Sequence, residues 1–336
     1  ATQYNVGLDY TLFGNTLYGT VDAYIKNVKD MLINPAYLGA TGEGGNSWQN
    51  GPSLRNWGME FTVGYRKTLA NGLGIDVNGN LDFFRNKVTY LPATTTGAYA
   101  HTSKENLVQS GKSYGSIVGY VADGIFQNQA EIDNYVNDKG VKYQPDAKPG
   151  DFKWKDVDGN GVIDDNDRTI LGSYFAPFSF GVNVKLEYKG FDLGVDITGV
   201  AGNEIYNSKK APYDYNQFNF MECWENRWHG EGTSNKYPIL SNMRPDNMRA
   251  SDFFVENGSY VRLRNVQLGY TFPKAWMHKI YLNSLRIYAS AQNLLTLTAF
   301  DGWTPEIGGS PLESGVDSGS LYPLPATITF GLNLTF

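Results

Sequence analysis

The sequence predicts an all-β chain whose strands form part of a transmembrane antiparallel β-barrel. Three observations lead to this prediction. Apolar and polar residues alternate over most of the chain, which is the pattern of strands with two different faces. The connections between the strands are alternately short and long, and the short ones fall on one edge of the sheet. The strands are about ten residues long, which is enough for a tilted span of a bilayer.

The composition of the 336 residues limits the classes of protein that fit. The net charge is -6, so a nucleic-acid-binding surface is not expected. No apolar run approaches the ~18 residues that a transmembrane helix needs. The single cysteine, Cys223, excludes an intrachain disulfide, and a lone cysteine gives no reason to expect a catalytic thiol.

The first four predicted strands form two hairpins, at residues 4–12, 17–26, 57–66 and 73–83. Gly14 and Asn15 make the first tight turn, and Asn71-Gly72 is the strongest two-residue hairpin signal. A long excursion, residues 92–177, follows. It contains a predicted helix near residues 129–136 and an acidic loop.

Strands five and six are predicted at residues 178–188 and 191–199, joined by the turn Lys189-Gly190. After a long aromatic loop at residues 200–258, strand seven covers residues 260–272. Its alternation changes phase, which predicts a β-bulge near Arg264-Asn265. Strands eight and nine are predicted at residues 284–298 and 326–336.

Loop lengths and strand faces favour a barrel over a soluble sheet. Connections after strands one, three, five and seven are short, whereas those after two, four, six and eight are long. This sorting is typical of a barrel with periplasmic turns and extracellular loops. The predicted inward faces carry Asp, Glu, Arg, Lys and Asn, while the outward faces are nearly free of charge. Since bacterial single-chain barrels have even strand numbers, nine strands predict that further strands lie upstream of residue 1.

Several motifs, in the same order along the chain, resemble the SusC/RagA family of TonB-dependent outer-membrane transporters. They are GYVADGIFQ (119–127), GDFKWKDVDGNGVIDDNDRTILG (150–172), FGVNVKLEYKGFDLGVDITGVAGNEIYN (180–207), YVRLRNVQLGYTFP (260–273), RIYASAQNLLTLTAFDGWTPEIG (286–308) and the strand that ends at Phe336. Each motif alone is weak, and together they are specific.

The resemblance implies that residues 1–336 are the C-terminal portion of a 22-stranded barrel in the outer membrane. An N-terminal plug, a TonB box and the remaining strands are then expected outside this chain. The family further implies import of oligosaccharides or peptides, driven through the TonB complex. A SusD-like surface lipoprotein closing over the barrel is the expected partner, and no enzyme activity is expected.

The acidic loop predicts a structural Ca²⁺ site. Its spacing fits the EF-hand pattern, with ligands at positions 1, 3, 5, 7, 9 and 12 and glycine at position 6. Gly161 holds position 6, and the predicted ligands are Asp156, Asp158, Asn160, the carbonyl of Val162, Asp164 and Asp167. Position 12 is Asp instead of the usual Glu, and no flanking helices are predicted. A hydrated acidic turn without an ion is the alternative.

Tryptophans outside the predicted strands are the candidate substrate contacts, because an indole ring can stack on a sugar ring. The candidates are Trp224, Trp228 and Trp303. The alternatives for each are packing within a long loop and contact with the SusD-like partner. The sequence also leaves a second function open: a soluble or secreted calcium-binding β-domain that binds glycan without transport.

Overall fold

The computed structural model describes residues 1–33, 48–92, 106–211, 221–241, 243–308, 315–319 and 321–336. Nine long strands form one sheet in which each strand pairs antiparallel with its neighbour in the chain. These wall strands are β1 (Thr2–Leu12), β2 (Leu17–Val28), β3 (Ser53–Thr68), β4 (Gly74–Tyr90), β5 (Phe178–Tyr188), β6 (Phe191–Ala201), β7 (Tyr260–Thr271), β8 (Ser284–Thr298) and β9 (Thr327–Thr335). All nine predicted strands are therefore present, in an up-and-down order.

Two local predictions about the wall are also confirmed. Lys189 and Gly190 both have positive φ, 48° and 88°, as a tight hairpin turn between β5 and β6 requires. In β7, Asn265 pairs with Asp196 and Leu263 pairs with Ile197, so Arg264 is an extra residue. This β-bulge reconciles the two phases of alternation that the sequence shows.

The register of the strands aligns apolar residues into one unbroken row across the wall. The row consists of Leu12, Leu17, Tyr65, Val77, Val184, Val195, Val266, Ala291 and Ile328. Residues on the same face in the edge strands are strongly exposed: Val6 is 76% and Phe330 81% exposed. An apolar face of this extent does not suit water, and lipid is the solvent that it fits.

The opposite face of the wall carries a polar row in the same register. It consists of Asp9, Thr20, Thr62, Asn80, Gly181, Thr198, Arg262 and Thr296. Hydrogen bonds run between strands on this face, for example from Tyr18 of β2 across β3 to Asn78 of β4 at 2.6 Å, and from Arg66 of β3 to Asp76 of β4 at 2.7 Å. This is the inner face of the wall.

The long connections fold into a layer of short elements beyond one end of the wall, here called the long-loop layer. Its strands are Leu32–Ile33, Gln49–Asn50, Asn106–Leu107, Ser116–Gly119, Ala122–Ile125, Phe152–Trp154, Thr169–Ser173, Glu204–Asn207, Val255–Asn257 and Val316–Asp317. Its 3-10 turns are Asp165–Asp167, Ser208–Lys210, Glu222–Asn226, Pro245–Met248 and Asp252–Phe254. Of the predicted excursion 92–177, residues 93–105 lie outside the described residues.

The predicted helix is shorter in the structure, where α1 covers Gln129–Asn134. Asn128 caps its first turn by accepting a hydrogen bond from the N–H of Glu131, and Glu131 in turn accepts from the N–H of Gln127. A second short helix, α2 (Lys274–Met277), and the 3-10 turn His278–Ile280 connect β7 to β8. Among the described residues, no helix has the length and apolar character to cross a bilayer.

The hydrophobic core of the described chain lies in the long-loop layer and not in the wall. One buried cluster contains Tyr120, Ile125, Phe152 and Trp154, and another contains Ile117, Tyr206 and Phe254. The wall needs no such core because one of its faces meets lipid and the other faces a polar interior. The long loops therefore form a packed layer whose residues are held in place by burial.

Two neighbouring positions in β7 test the assignment of the faces. Val266→Arg puts a cation on the apolar row in the middle of the strand, and we expect it to destabilise the full-length barrel by about 2–4 kcal/mol. Gln267→Arg puts the same cation on the inner face and should change the free energy of unfolding little. Denaturant unfolding in lipid vesicles measures both, and equal effects of the two substitutions would contradict the assignment.

Candidate functional site

The acidic loop lies between the strands Phe152–Trp154 and Thr169–Ser173, in the long-loop layer. The structure brings three of its predicted ligands together: carboxylate oxygens of Asp156, Asp158 and Asp167 all lie within 4.8 Å of one another. An all-oxygen donor set of this kind suits a hard cation such as Ca²⁺. The residues therefore fit the predicted ion.

Backbone N–H groups hold the carboxylates of this loop in place. Asp156 accepts hydrogen bonds from Gly159 and Gly161, each at 2.8 Å. Gly161 has φ of 87°, which is the sharp turn that position 6 of the pattern requires. Desolvation raises the pKa of Asp156, but the backbone hydrogen bonds, together with side-chain hydrogen bonding to Asp158 and Asp167, outweigh it, so its pKa lies below the usual range. The carboxylate is therefore charged at neutral pH.

Asp167 closes the loop from its far end. It is fully buried, and its carboxylate accepts hydrogen bonds from the N–H groups of Val157 at 2.7 Å and Asp164 at 2.8 Å. The short side chain of Asp167 thus connects the end of the loop to its beginning. In the usual pattern, the longer side chain of Glu at position 12 makes this connection.

The remaining predicted ligands form turns along the loop. The side-chain oxygen of Asn160 accepts from the N–H of Val162 at 2.8 Å, and the carboxylate of Asp164 accepts from Asn166 at 2.7 Å. In both contacts a backbone N–H of the loop donates to a side-chain oxygen of the same loop, which stabilises the conformation of the loop. Binding of Ca²⁺ by the set of six stays a prediction.

The three candidate tryptophans have different surroundings. Trp224 is only 2% exposed, donates its indole N–H to the carbonyl of Lys210 at 3.0 Å, and packs on Tyr237 and Phe253. A ring so enclosed is suited to packing and not to stacking on a sugar. Trp228 is half-buried against the core of the long-loop layer and donates to Gln127 at 3.2 Å.

Trp303 is the candidate that remains available to a ligand, because its side chain is 66% exposed. It lies in residues 299–308, here called the anchored segment. On one side of it, Phe300 is buried and Asp301 receives a hydrogen bond from Asn207 at 3.1 Å. On the other side, Thr304 is buried. The exposed ring is thus presented by a segment fixed on both sides.

Glu306 fixes the anchored segment to the inner face of the wall. Its carboxylate accepts hydrogen bonds from Tyr260 at 2.8 Å and from Arg262 at 2.5 Å. Arg262 is 3% exposed and also donates to Thr296 at 2.9 Å. Burial raises the pKa of Glu306, but the hydrogen bonds from Tyr260 and Arg262, together with the positive charges of Arg262 and Arg264, prevail and lower it.

Sequence reasoning missed this anchor. Arg262 lies within predicted strand seven, where nothing in the sequence singles it out, and Glu306 lies 44 residues further along the chain. The available signal was a charged residue on the inner face near a bulge, but no spacing rule identifies its partner.

Comparisons with known proteins show which proteins this chain is similar to. No protein-family profile matches it. TonB-dependent receptor P3 of Formosa agariphila is 30% identical over 99% of this chain, and the match covers 34% of that receptor. TonB-dependent receptor SusC of Bacteroides thetaiotaomicron is 26% identical over 100% of this chain, covering 32% of SusC. The chain is a relative of the SusC-like TonB-dependent receptors.

The SusC-like chain spans about a third of the length of the curated relatives that it matches. A solved structure of the RagAB peptide transporter matches 99% of the chain and 35% of its counterpart, with a TM-score of 0.77 and 22% identity. This likeness shows that the two share a fold. The predicted resemblance, the all-β barrel fold and the outer-membrane location are confirmed.

The anchor of this SusC-like chain predicts a response to pH and to mutation. Glu306→Gln removes the charge that Arg262 pairs with, so amides in residues 299–308 should exchange hydrogen about tenfold faster. Since the pKa of Glu306 is lowered by folding, the ionised anchor contributes at neutral pH and is lost as the pH falls through that lowered value.

Hydrogen exchange of the full-length protein measures the effect at neutral and acidic pH. Glu231→Gln is the control, because Glu231 lies in another loop and, among the described residues, its carboxylate accepts a hydrogen bond from Asn128 and has no contact with residues 299–308. Unchanged exchange in the Glu306 variant would contradict the anchoring role.

Proposed function

We propose that the full-length protein imports oligosaccharides or peptides across the outer membrane by TonB-dependent transport. The single observation that carries the proposal is sequence similarity to TonB-dependent receptors over 99–100% of the chain. The two faces of the wall support the proposal. A polar solute that is transported through a barrel needs a polar, hydrated inner face, and the outer face of the barrel must be apolar to contact lipid.

In this proposal, residues 1–336 are the C-terminal portion of a 22-stranded barrel. β1 and β9 each pair with one wall neighbour among the described residues, so both have an edge for further strands. The plug, the TonB box and the remaining strands then belong to the part outside this chain. The coverage of about a third of each relative supports this division.

A SusD-like lipoprotein is the partner we propose for the long-loop layer. The layer is packed around its own buried clusters, which gives a lid a rigid surface to close on. RagAB, the peptide transporter with the same fold, and SusC, a relative by sequence, are the basis for proposing peptides and oligosaccharides as alternative substrates.

The role we propose is transport without catalysis. Trp303 is the proposed aromatic contact for the solute, because it is exposed on a fixed segment whose neighbour Glu306 reaches the inner face. The soluble glycan-binding alternative is not favoured, since the apolar row would face water.

An uptake assay tests the proposed function. Cells that carry the full-length gene should accumulate a labelled oligosaccharide or peptide, and a proton uncoupler should abolish uptake. Trp303→Ala should reduce uptake at equal surface abundance, because it removes the exposed ring proposed to contact the solute. Trp276→Ala, which removes another exposed tryptophan at the opposite end of the wall, is the control. Absence of uncoupler-sensitive uptake for every solute would overturn the function.

We also propose that the acidic loop binds Ca²⁺ as a structural ion. Calcium should protect residues 150–172 of the full-length protein from proteolysis, and Asp158→Asn should raise the calcium concentration needed about tenfold, because it removes one charged ligand. Asp138→Asn, at an exposed position outside the cluster, should leave it unchanged. If calcium gives no protection to the unmodified protein, the ion site is refuted.

A further inference from the structure

The wall carries irregularities in two neighbouring strands at the same height. In β7, Arg264 is the extra residue relative to β6. Between β7 and β8, Leu263 pairs with Leu295 and Asn265 with Gln292, so β8 places two residues opposite the single residue Arg264. One of these, Asn293, has φ of 54°, which few residues other than glycine adopt. Bulges of this kind commonly redirect side chains at functional sites.

The irregularities direct consecutive residues to one side of the sheet. In a regular strand, neighbouring side chains point to opposite faces. Here Arg264 and Asn265 line the same cavity, and so do Gln292 and Asn293 of the adjacent strand. The bulges thereby concentrate hydrogen-bonding side chains at one place on the inner face.

The cavity has a volume of about 420 Å³, which suits a small ligand or one unit of a larger solute. Its floor is formed by β6, β7 and β8, and Glu306 and Leu324 contribute from the long connections. It therefore lies on the inner face near the long-loop layer, where a solute entering the barrel would first meet the wall.

Most of the charged groups around this cavity already have hydrogen-bond or ion-pair partners. The carboxylate of Asp196 accepts hydrogen bonds from the amides of Asn183 and Asn265. Glu306 is paired with Arg262. Arg264 is exposed, and among the residues that the structure describes it makes neither a hydrogen bond nor an ion pair. Arg264 thus faces the cavity with its N–H donors unbonded among the described residues, and the Glu306 carboxylate, on which its charge acts, is bonded to Arg262.

We propose that this cavity binds a carboxylate group of the transported solute through Arg264. The planar guanidinium offers two parallel N–H donors, which match the two oxygens of a carboxylate. The amides of Gln292 and Asn293 can bind polar groups next to that carboxylate. Asn293 already donates to the carbonyl of Pro325 at 3.3 Å, so its side-chain oxygen is oriented as an acceptor.

The inference rests on the proposed import function, and it specifies the solute as carboxylate-bearing. An acidic peptide and a uronic-acid glycan share this chemistry. Binding to the purified full-length protein in detergent requires no energised membrane, so it can be measured apart from uptake.

Titration calorimetry with four probes tests the site. Two carry carboxylates, N-acetyl-Glu-Glu amide and digalacturonate, and two are their neutral counterparts, N-acetyl-Gln-Gln amide and the digalacturonate methyl ester. We expect one acidic probe to bind at least tenfold more tightly than its neutral counterpart. Arg264→Gln should weaken that binding about ten- to hundredfold, the range measured for hydrogen bonds to charged groups. The identity of the probe that binds distinguishes peptide from glycan.

Two further variants separate a bidentate contact from a general effect of charge. Arg264→Lys keeps the positive charge but loses the two parallel N–H donors, so its binding should be stronger than that of Arg264→Gln and weaker than that of the unmodified protein. Arg66→Gln removes an inner-face cation on β3, far from the cavity, and should leave binding unchanged. The site is refuted if neither acidic probe binds better than its neutral counterpart, or if Arg264→Gln binds like the unmodified protein. Uncoupler-sensitive uptake in that case would leave the import function standing.

Discussion

The continuous antiparallel pairing of nine neighbouring strands is the constraint on which the structure depends. In lipid, a backbone N–H or C=O has no water to bond, so each must find its partner in the next strand. Once the pairing is continuous, the face of every side chain is decided by its position in the strand. The apolar row from Leu12 to Ile328 and the polar row from Asp9 to Thr296 are two results of that single register.

The long-loop layer follows a different physical rule. Its strands have only two to five residues, and its shape comes from buried aromatic side chains and buried ion pairs. Lys210, for example, is almost fully buried and contacts Glu256 at 2.5 Å. Removing one partner of such a pair leaves the other charge buried without compensation, so each partner holds the other in the layer. The chain thus joins a wall governed by backbone pairing to a layer governed by side-chain packing.

The sequence predicted the wall well because a wall strand carries its pattern in adjacent residues. The bounds of β5 and β8 and the bulge at Arg264 could be derived from alternation alone. The layer could not be derived in the same way, since its contacts join residues far apart in the chain. Trp224 and Trp303 look alike in sequence, yet one is enclosed by Tyr237 and Phe253 and the other is exposed. For the acidic loop, spacing identified the grouped carboxylates of Asp156, Asp158 and Asp167 but not the backbone donors that hold them.

The apolar row has one more consequence, which concerns depth in the membrane. It begins at Leu12, beside a short turn, and ends at Ile328, beside a long connection. Lateral neighbours in the sheet therefore do not share a level in the bilayer, which requires the strands to be inclined to the membrane normal. From β1 to β9, the residues of this row therefore lie at successively different depths in the hydrocarbon, from the side of the short turns to the side of the long connections. Positions that are equivalent in hydrogen bonding are thus unequal in solvation, and a charged substitution costs less at the ends of the row than at its centre.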